Sequence, residues 1–162
     1  MYSRSILAIV SCILVLFSVV ANARVPGITR SGVATMMKYG TEDAHIRKRY
    51  RGTWYSGNDL KNAACYGRSG LPVFSARVTD MIGAMSMRNF EYCYKCTEIT
   101  NKKTGKSIVV KIVDKCAACT PRKDIDLTPT AFRKLNHDNI DDGVLDIDWK
   151  VVECPSTLHL NL

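Results

Sequence analysis

The sequence predicts a small, mainly-β barrel that is stabilised by disulfide bonds. Several short apolar segments alternate with glycine-containing turns, and only one segment carries clear helix signals. Six cysteines follow residue 24, which is typical of a small secreted domain. Several short strands, one short helix and turn signals predict a mainly-β barrel.

Residues 1–23 are predicted to be a signal peptide. Arg4 precedes the apolar run Ile6–Val20, and Ala21-Asn22-Ala23 follows as a small-residue cleavage site. The alternative is a retained membrane anchor, but the run is short for a bilayer span. We therefore expect a secreted, extracellular protein with no membrane segment after signal cleavage.

Residues 24–49 are predicted to be a leader or a propeptide, and residues 50–162 the barrel domain. The stretch has little periodicity and ends in the basic tract Ile46–Tyr50, where cleavage after Arg49 would remove it. The alternative is an exposed basic arm. The chain carries a net charge of +8, most of it in the first 49 residues. No nucleic-acid-binding motif is present, so no nucleic-acid partner is expected.

The cysteines allow two interpretations. Cys12 leaves with the signal peptide, and an even set of six remains. Outside the cell this set predicts three disulfides, whose pairing the spacing alone does not decide. The competing interpretation is a zinc site, because the set contains two Cys-x-x-Cys pairs, which begin at Cys93 and Cys116. Secretion favours disulfides, so neither a metal nor a cofactor is expected.

The first half of the domain has weaker structural signals. Arg51–Tyr55 is predicted as the first strand, Lys61–Leu71 as a loop and Val73–Val78 as a second strand. Asp80–Met87 is apolar and rich in methionine, which leaves a helical turn and a buried strand both open.

The second half is more regular. A hairpin is predicted from Cys96–Thr100 and Ser107–Val113, joined by a turn that contains Gly105. Thr128 can cap a short helix that begins near Pro129.

The last predicted strand is Val144–Val152. Leu145, Ile147, Trp149 and Val151 alternate there with polar residues, so we expect Trp149 in the core.

Two carboxylates stand at the ends of predicted elements. Asp114 ends the second hairpin strand, and Asp126 precedes the short helix. Carboxylates in such positions suit acid/base work or hydrogen bonding on a sugar. The alternative is structural, in which Asp126 caps the helix and Asp114 makes a turn hydrogen bond.

These residues carry a family resemblance. The runs VVKIVD, DIDLTPTAF and WKVVECP, with GTWY before them, resemble the double-psi β-barrel of expansins. They are also similar to rare lipoprotein A, barwin, the fungal loosenins and a related glycoside hydrolase family. The resemblance covers about Gly52–Pro155. It implies a six-stranded double-psi β-barrel with one or two short helices. We also expect a monomer.

The resemblance also implies a site. Thr53 and Tyr55 match a Thr-x-Tyr element on the family's first strand, with Trp54 between them. Asp126 matches the family's most important carboxylate, and Asp114 matches a second. Trp54 and Tyr55 would stack on sugar rings, which suits flat aromatic faces.

The disulfide pairing is likewise implied by the resemblance. Plant expansins pair cysteines at spacings like those of Cys65–Cys93 and Cys96–Cys154. Cys116–Cys119 would then be a tight local bridge.

The hydrolases of this superfamily carry a catalytic base on the first strand, and no carboxylate stands there in this chain. The prediction therefore inclines against an enzyme. We expect an expansin- or loosenin-like protein that binds a cell-wall polysaccharide (cellulose, chitin, xylan or peptidoglycan) and loosens it without hydrolysis. The first alternative is a lytic transglycosylase acting on peptidoglycan. The second is a protein-binding module, either a cysteine-protease inhibitor or a defence or effector protein.

Overall fold

Six strands close into a barrel in the computed structural model of the chain, which describes residues 27–39, 54–55, 63–67, 76–77 and 79–158. In chain order the elements are β1 (Arg30–Met36), β2 (Lys38–Tyr39), β3 (Trp54–Tyr55), β4 (Ile82–Met85), β5 (Cys96–Asn101), β6 (Ser107–Lys115), β7 (Ile125–Leu127), α1 (Pro129–Leu135) and β8 (Val144–Val152). The order around the barrel is β1, β7, β4, β6, β5, β8, and β8 pairs back with β1.

Parallel and antiparallel pairs are mixed in this barrel. β1 runs parallel to β7 and β4 parallel to β6, whereas the other neighbours are antiparallel. Parallel neighbours cannot be joined by a tight hairpin, so the chain crosses over between them. The closed six-stranded barrel, with one short helix among the described residues, confirms the predicted fold class.

The first barrel strand lies earlier in the chain than the sequence analysis expected. It is Arg30–Met36, inside the stretch 24–49 that was predicted to be a leader. Of the expected strand Arg51–Tyr55, the described residues Trp54–Tyr55 pair with Lys38–Tyr39 outside the barrel. The strand assignment is corrected accordingly. The sequence does not predict β1 as a strand, because its residues RSGVATM include few large apolar side chains and show no alternation of apolar and polar residues.

The predicted hairpin is present, and Ile99, Ile108, Val110 and Ile112 of its strands are buried in the main core. β5 and β6 pair antiparallel, with Ile99 opposite Ile108. Gly105 has a φ of 72°, in the left-handed region that the turn between the strands requires. Asp80–Met87 resolves as strand β4, whose four residues are all buried. Of the predicted strand 73–78, only Ala76 and Arg77 lie within the described residues.

The final strand packs as the alternation predicts. Leu145, Ile147 and Trp149 are buried in the main core. The Trp149 ring meets Tyr92 edge-on at 6.1 Å between centroids, and its Nε1–H donates to the Lys123 carbonyl oxygen at 2.9 Å.

Helix α1 begins where the sequence predicts it. The Thr128 hydroxyl accepts a hydrogen bond from the Ala131 N–H, and Pro129 occupies the first turn. The same hydroxyl donates to the carbonyl oxygen of Asp80 at 2.6 Å. Thr128 therefore links the start of the helix to the segment that precedes β4. Because it directly follows β7, it also fixes the end of that strand.

Three disulfides fasten the barrel. They join Cys65 to Cys93, Cys96 to Cys154 and Cys116 to Cys119, which are the pairs that the family resemblance implied. Among the described residues, no helix is long and apolar enough to cross a membrane.

Candidate functional site on the outer face of the barrel

Asp126 points away from the main core. Successive side chains of a strand point to opposite faces. Ile125 and Leu127, on either side of Asp126, both belong to the main core cluster. On the neighbouring strand Met85 is in that cluster, whereas Ala84 packs in a separate one. Asp126 and Ala84 therefore lie side by side on the outer face of the barrel.

Cross-strand pairing sets four residues in one row on this face. Thr35 of β1 pairs with Asp126 of β7, and Asp126 pairs with Ala84 of β4. Ala84 pairs in turn with Asp114 of β6. The register between β4 and β6 shifts between Gly83 and Ala84, which sets Asp114 opposite Ala84. Asp114 and Asp126 are thus two strand spacings apart, about 10 Å between Cα atoms.

Two contacts of the Asp126 carboxyl lie within the described residues. The Thr35 hydroxyl donates a hydrogen bond to Oδ1. Oδ2 lies 3.3 Å from Sγ of Cys116. A sulfur in a disulfide has no proton and can only accept. The contact with Oδ2 is therefore not a hydrogen bond donated by the sulfur.

Asp114 is hydrogen-bonded to the backbone of a neighbouring segment. Its Oδ1 accepts the backbone N–H of Ala64 at 2.6 Å, which fixes the segment that contains Cys65. Tyr66 lies nearby, and its hydroxyl accepts the N–H of Ala76 at 2.9 Å. Burial raises the pKa of Tyr66 to about 12, and the negative charge of Asp114 contributes in the same direction. Burial also raises the pKa of Tyr94.

The row is covered in this conformation. Asp126 is only 1% exposed and Asp114 7%. Ala84 of this row packs with Met37, Cys116 and Cys119 in a small cluster on this part of the outer face. The members of this cluster are themselves buried, with Met37 and Cys116 each 1% exposed, so Met37 and the Cys116–Cys119 bridge must move before a ligand reaches the carboxyl of Asp126.

The predicted site residues have different positions. Asp114 and Asp126 are brought into one row, as just described. Thr53 lies outside the described residues, and Trp54 and Tyr55 are described only as the backbone of β3.

The threonine that bonds Asp126 within the described chain is Thr35, which the sequence analysis did not single out. The pattern Gly-x-x-Thr in Gly32–Thr35 resembles an ordinary loop, and only the pairing of β1 with β7 reveals its role.

One group of described residues has the composition of a metal site. Cys116, Cys119 and Asp126 each offer a ligand atom, and these atoms lie within 4.8 Å of one another. The two sulfurs are bonded to each other, so the group is not a thiolate site in the oxidised protein. The Cys93 and Cys96 pair does not join it, because those residues are bridged to Cys65 and Cys154.

Comparison with solved structures supports the fold. An apo expansin from Clavibacter michiganensis matches with a TM-score of 0.52 at 23% identity, over 80% of this chain and 52% of the expansin. A variant of that expansin in complex with cellohexaose matches with a TM-score of 0.51 and the same identity and coverage. The chain thus spans about half the length of these expansins.

A third structure is matched over its whole length. Streptomyces papain inhibitor aligns with 80% of this chain and 100% of its own, with a TM-score of 0.51 and 22% identity.

The family profile described as the Barwin family matches residues 52–154, which is more than half of the chain and includes five of the six barrel strands. Together with the closed barrel, this match identifies the chain as a member of the Barwin family.

Proposed function

We propose that this protein is secreted, binds a cell-wall polysaccharide on the outer face of its barrel, and loosens the polysaccharide without hydrolysing it. Asp126 is the central residue, and the observation that carries the proposal is its hydrogen bond with Thr35 on that face. A carboxyl and a hydroxyl held together form a polar pair that can replace hydrogen bonds between glycan chains. An expansin of the same fold has been solved with cellohexaose, which supports a β-linked glucan as the first ligand to test.

The hydrogen bonding of the second carboxylate supports the non-hydrolytic part of the proposal. An inverting glycosidase needs an acid and a base on opposite sides of the bond, and the base must be available to activate water. Asp114 accepts the backbone N–H of Ala64 at 2.6 Å, so we propose that this carboxylate holds the backbone and does not activate water. Asp126 then acts alone, as a hydrogen-bonding group.

The remaining predicted contacts are aromatic. The backbone at Trp54 pairs with Lys38, three residues beyond Thr35 in the chain. We propose that Trp54 and Tyr55, with Thr53 beside them, extend the glycan surface from the Asp126 end of the row. Stacking of pyranose faces on aromatic rings would then supply much of the affinity.

The glycan must displace the cover before it reaches Asp126. Met37 and the Cys116–Cys119 bridge pack over this face, and Asp126 is 1% exposed. The proposal therefore includes a movement of these buried residues on binding, with the barrel itself unchanged. Because displacement loosens the packing of the segment 115–120, its hydrogen exchange should quicken on glycan addition.

A pull-down tests the proposal. The oxidised protein is incubated with insoluble cellulose, chitin, xylan and peptidoglycan, and reducing sugars are assayed in each supernatant. We expect retention on one of them with no sugar release. Asp126→Asn is expected to weaken retention about 10- to 100-fold, since a hydrogen bond to a charged group contributes about 1.5–3 kcal/mol. Asp148→Asn, which removes an exposed carboxylate from β8, is the matched control.

Three results would contradict the proposal. Full retention by folded Asp126→Asn would remove Asp126 from the site. Release of reducing sugar would indicate hydrolysis, and release of anhydro-muropeptides from peptidoglycan would indicate a lytic transglycosylase.

A second candidate is a cysteine-protease inhibitor. One observation favours it: the likeness to Streptomyces papain inhibitor covers that protein completely, whereas the expansins are covered by half. In this case exposed loops carry the binding and Asp126 is structural. Inhibition of papain without retention on any glycan would establish this function instead.

A further inference from the structure

The cluster of Cys116, Cys119 and Asp126, here called the thiol–carboxylate cluster, has a chemistry that the proposed function does not use. We propose that reduction of the Cys116–Cys119 bridge converts this cluster into a binding site for a soft divalent cation such as Zn²⁺ or Cd²⁺. The inference does not depend on glycan binding.

The ligand set suits such a cation. Two thiolates in a Cys-x-x-Cys arrangement form half of a common structural zinc site, and a carboxylate oxygen is an accepted third ligand. The three ligand atoms already lie within 4.8 Å of one another, and Cys116 Sγ is 3.3 Å from Asp126 Oδ2. A small rotation that separates the two sulfurs leaves room for an ion between three ligands, with a fourth position for water.

The ligands also have outer-shell support. Oδ1 of Asp126 accepts the Thr35 hydroxyl, which orients the carboxylate and leaves Oδ2 toward the sulfurs. Hydrogen bonds of this kind fix ligand geometry and commonly change metal affinity 10- to 100-fold. The strand pairing of β1 with β7 holds the donor and the ligand in register.

The bridge can be reduced while the barrel stays folded. Cys116 and Cys119 are separated by 3 positions in sequence, against 28 and 58 for the other bridges, so this bridge restrains the unfolded chain least. Cys116 and Cys119 are themselves only 1% and 9% exposed, but Lys115, Ala117 and Ala118 beside them are exposed, so a shift of this short loop would admit a small reductant. A dithiol supplies two electrons and two protons to the bridge and becomes a disulfide itself. The cation then displaces the two thiol protons as both Cys–metal bonds form.

Cobalt titration of the selectively reduced protein tests the proposal. A dithiol is titrated until alkylation and peptide mapping label only Cys116 and Cys119, and circular dichroism checks that the fold is retained. Co²⁺ is then added under argon. We expect one Co²⁺ per chain, with thiolate-to-cobalt charge transfer in the near ultraviolet and the strong visible bands of a tetrahedral site. Competition with Zn²⁺ should abolish both signals.

Variants test whether the cobalt absorption bands come from the thiol–carboxylate cluster. Cys116→Ser with Cys119→Ser should lose the signal, and Asp126→Asn should weaken binding at least about tenfold. Thr35→Val should weaken it about tenfold without changing the stoichiometry. Asp148→Asn is the control, with affinity unchanged.

Four results would overturn the inference. The first is the absence of the cobalt signal in the folded, selectively reduced protein. The second is equal affinity in Asp126→Asn, and the third is the same signal in the oxidised protein. The fourth is a bridge that cannot be reduced without loss of the fold, because no native thiol form would then exist.

Discussion

Replacing Gly32 by alanine gives a direct test of the β1 assignment. A Cβ at this position would overlap the backbone carbonyl of Lys123 and lie 3.0 Å from its Cα. These are backbone atoms, so no side chain can rotate to make room. The strand and the segment around Lys123 would have to separate. That movement would strain the Trp149 hydrogen bond to the Lys123 carbonyl oxygen and the contact of Val33 N–H with Asp124.

The expected loss of unfolding free energy follows from these contacts. Overpacking in a tight site costs about 1–3 kcal/mol, and a weakened buried hydrogen bond adds about 1 kcal/mol. We therefore expect Gly32→Ala to lose about 3 kcal/mol of unfolding free energy, which lowers Tm by roughly 10 °C for a domain of this size.

Thermal unfolding followed by circular dichroism measures this change. Ser31→Ala serves as the control. It lies next to Gly32 on the same strand but is exposed, and it loses only an exposed hydrogen bond to Asp148, so its effect should stay within about 1 kcal/mol. If Gly32→Ala unfolds at the wild-type temperature, Arg30–Met36 does not occupy this barrel position, and another segment must pair with β7 and β8.

Two further predictions concern pH and the disulfides. Burial raises the pKa of Tyr66 to about 12 in the folded protein, against about 10 in the unfolded chain. The contribution of Tyr66 to stability is therefore complete below about pH 10 and is lost as the pH rises toward 12. Tyr66 is partly exposed, so we expect a loss of about 1–2 kcal/mol across that window, and a denaturant series at several alkaline pH values should show no such loss in Tyr66→Phe. Replacing Cys96 and Cys154 by alanine should cost about 4 kcal/mol, whereas replacing Cys116 and Cys119 should cost about 2 kcal/mol, because the first bridge closes a far longer loop. Equal midpoints for the two double variants in urea would refute this dependence on loop length.

The more regular half of the fold was predictable from local signals. The hairpin of β5 and β6, the capped helix and the alternation of β8 each appear within a short window of sequence. Trp149 was predicted in the core from alternation alone, and it is 1% exposed. Such elements carry their own periodicity or capping residues, so no knowledge of distant partners is needed.

The β1 strand and the threonine of the site were not predictable in this way. β1 has one fully buried apolar residue, Ala34, and otherwise contains glycine, serine and partly buried side chains. It is a strand because β7 and β8 satisfy its backbone hydrogen bonds on both sides. Local propensity is weak where tertiary pairing supplies the stabilisation.

The sequence by itself determined the disulfide-rich, mainly-β class, the position of the helix and the two candidate carboxylates. The tertiary structure decided which strand comes first, which hydroxyl bonds Asp126, and that Asp114 holds the backbone at Ala64. Capping and alternation act over a few residues, whereas Thr35 and Asp126 are separated by 91 positions in the chain. Only the register between β1 and β7 brings these two residues together, and register is set by the packing of the whole barrel.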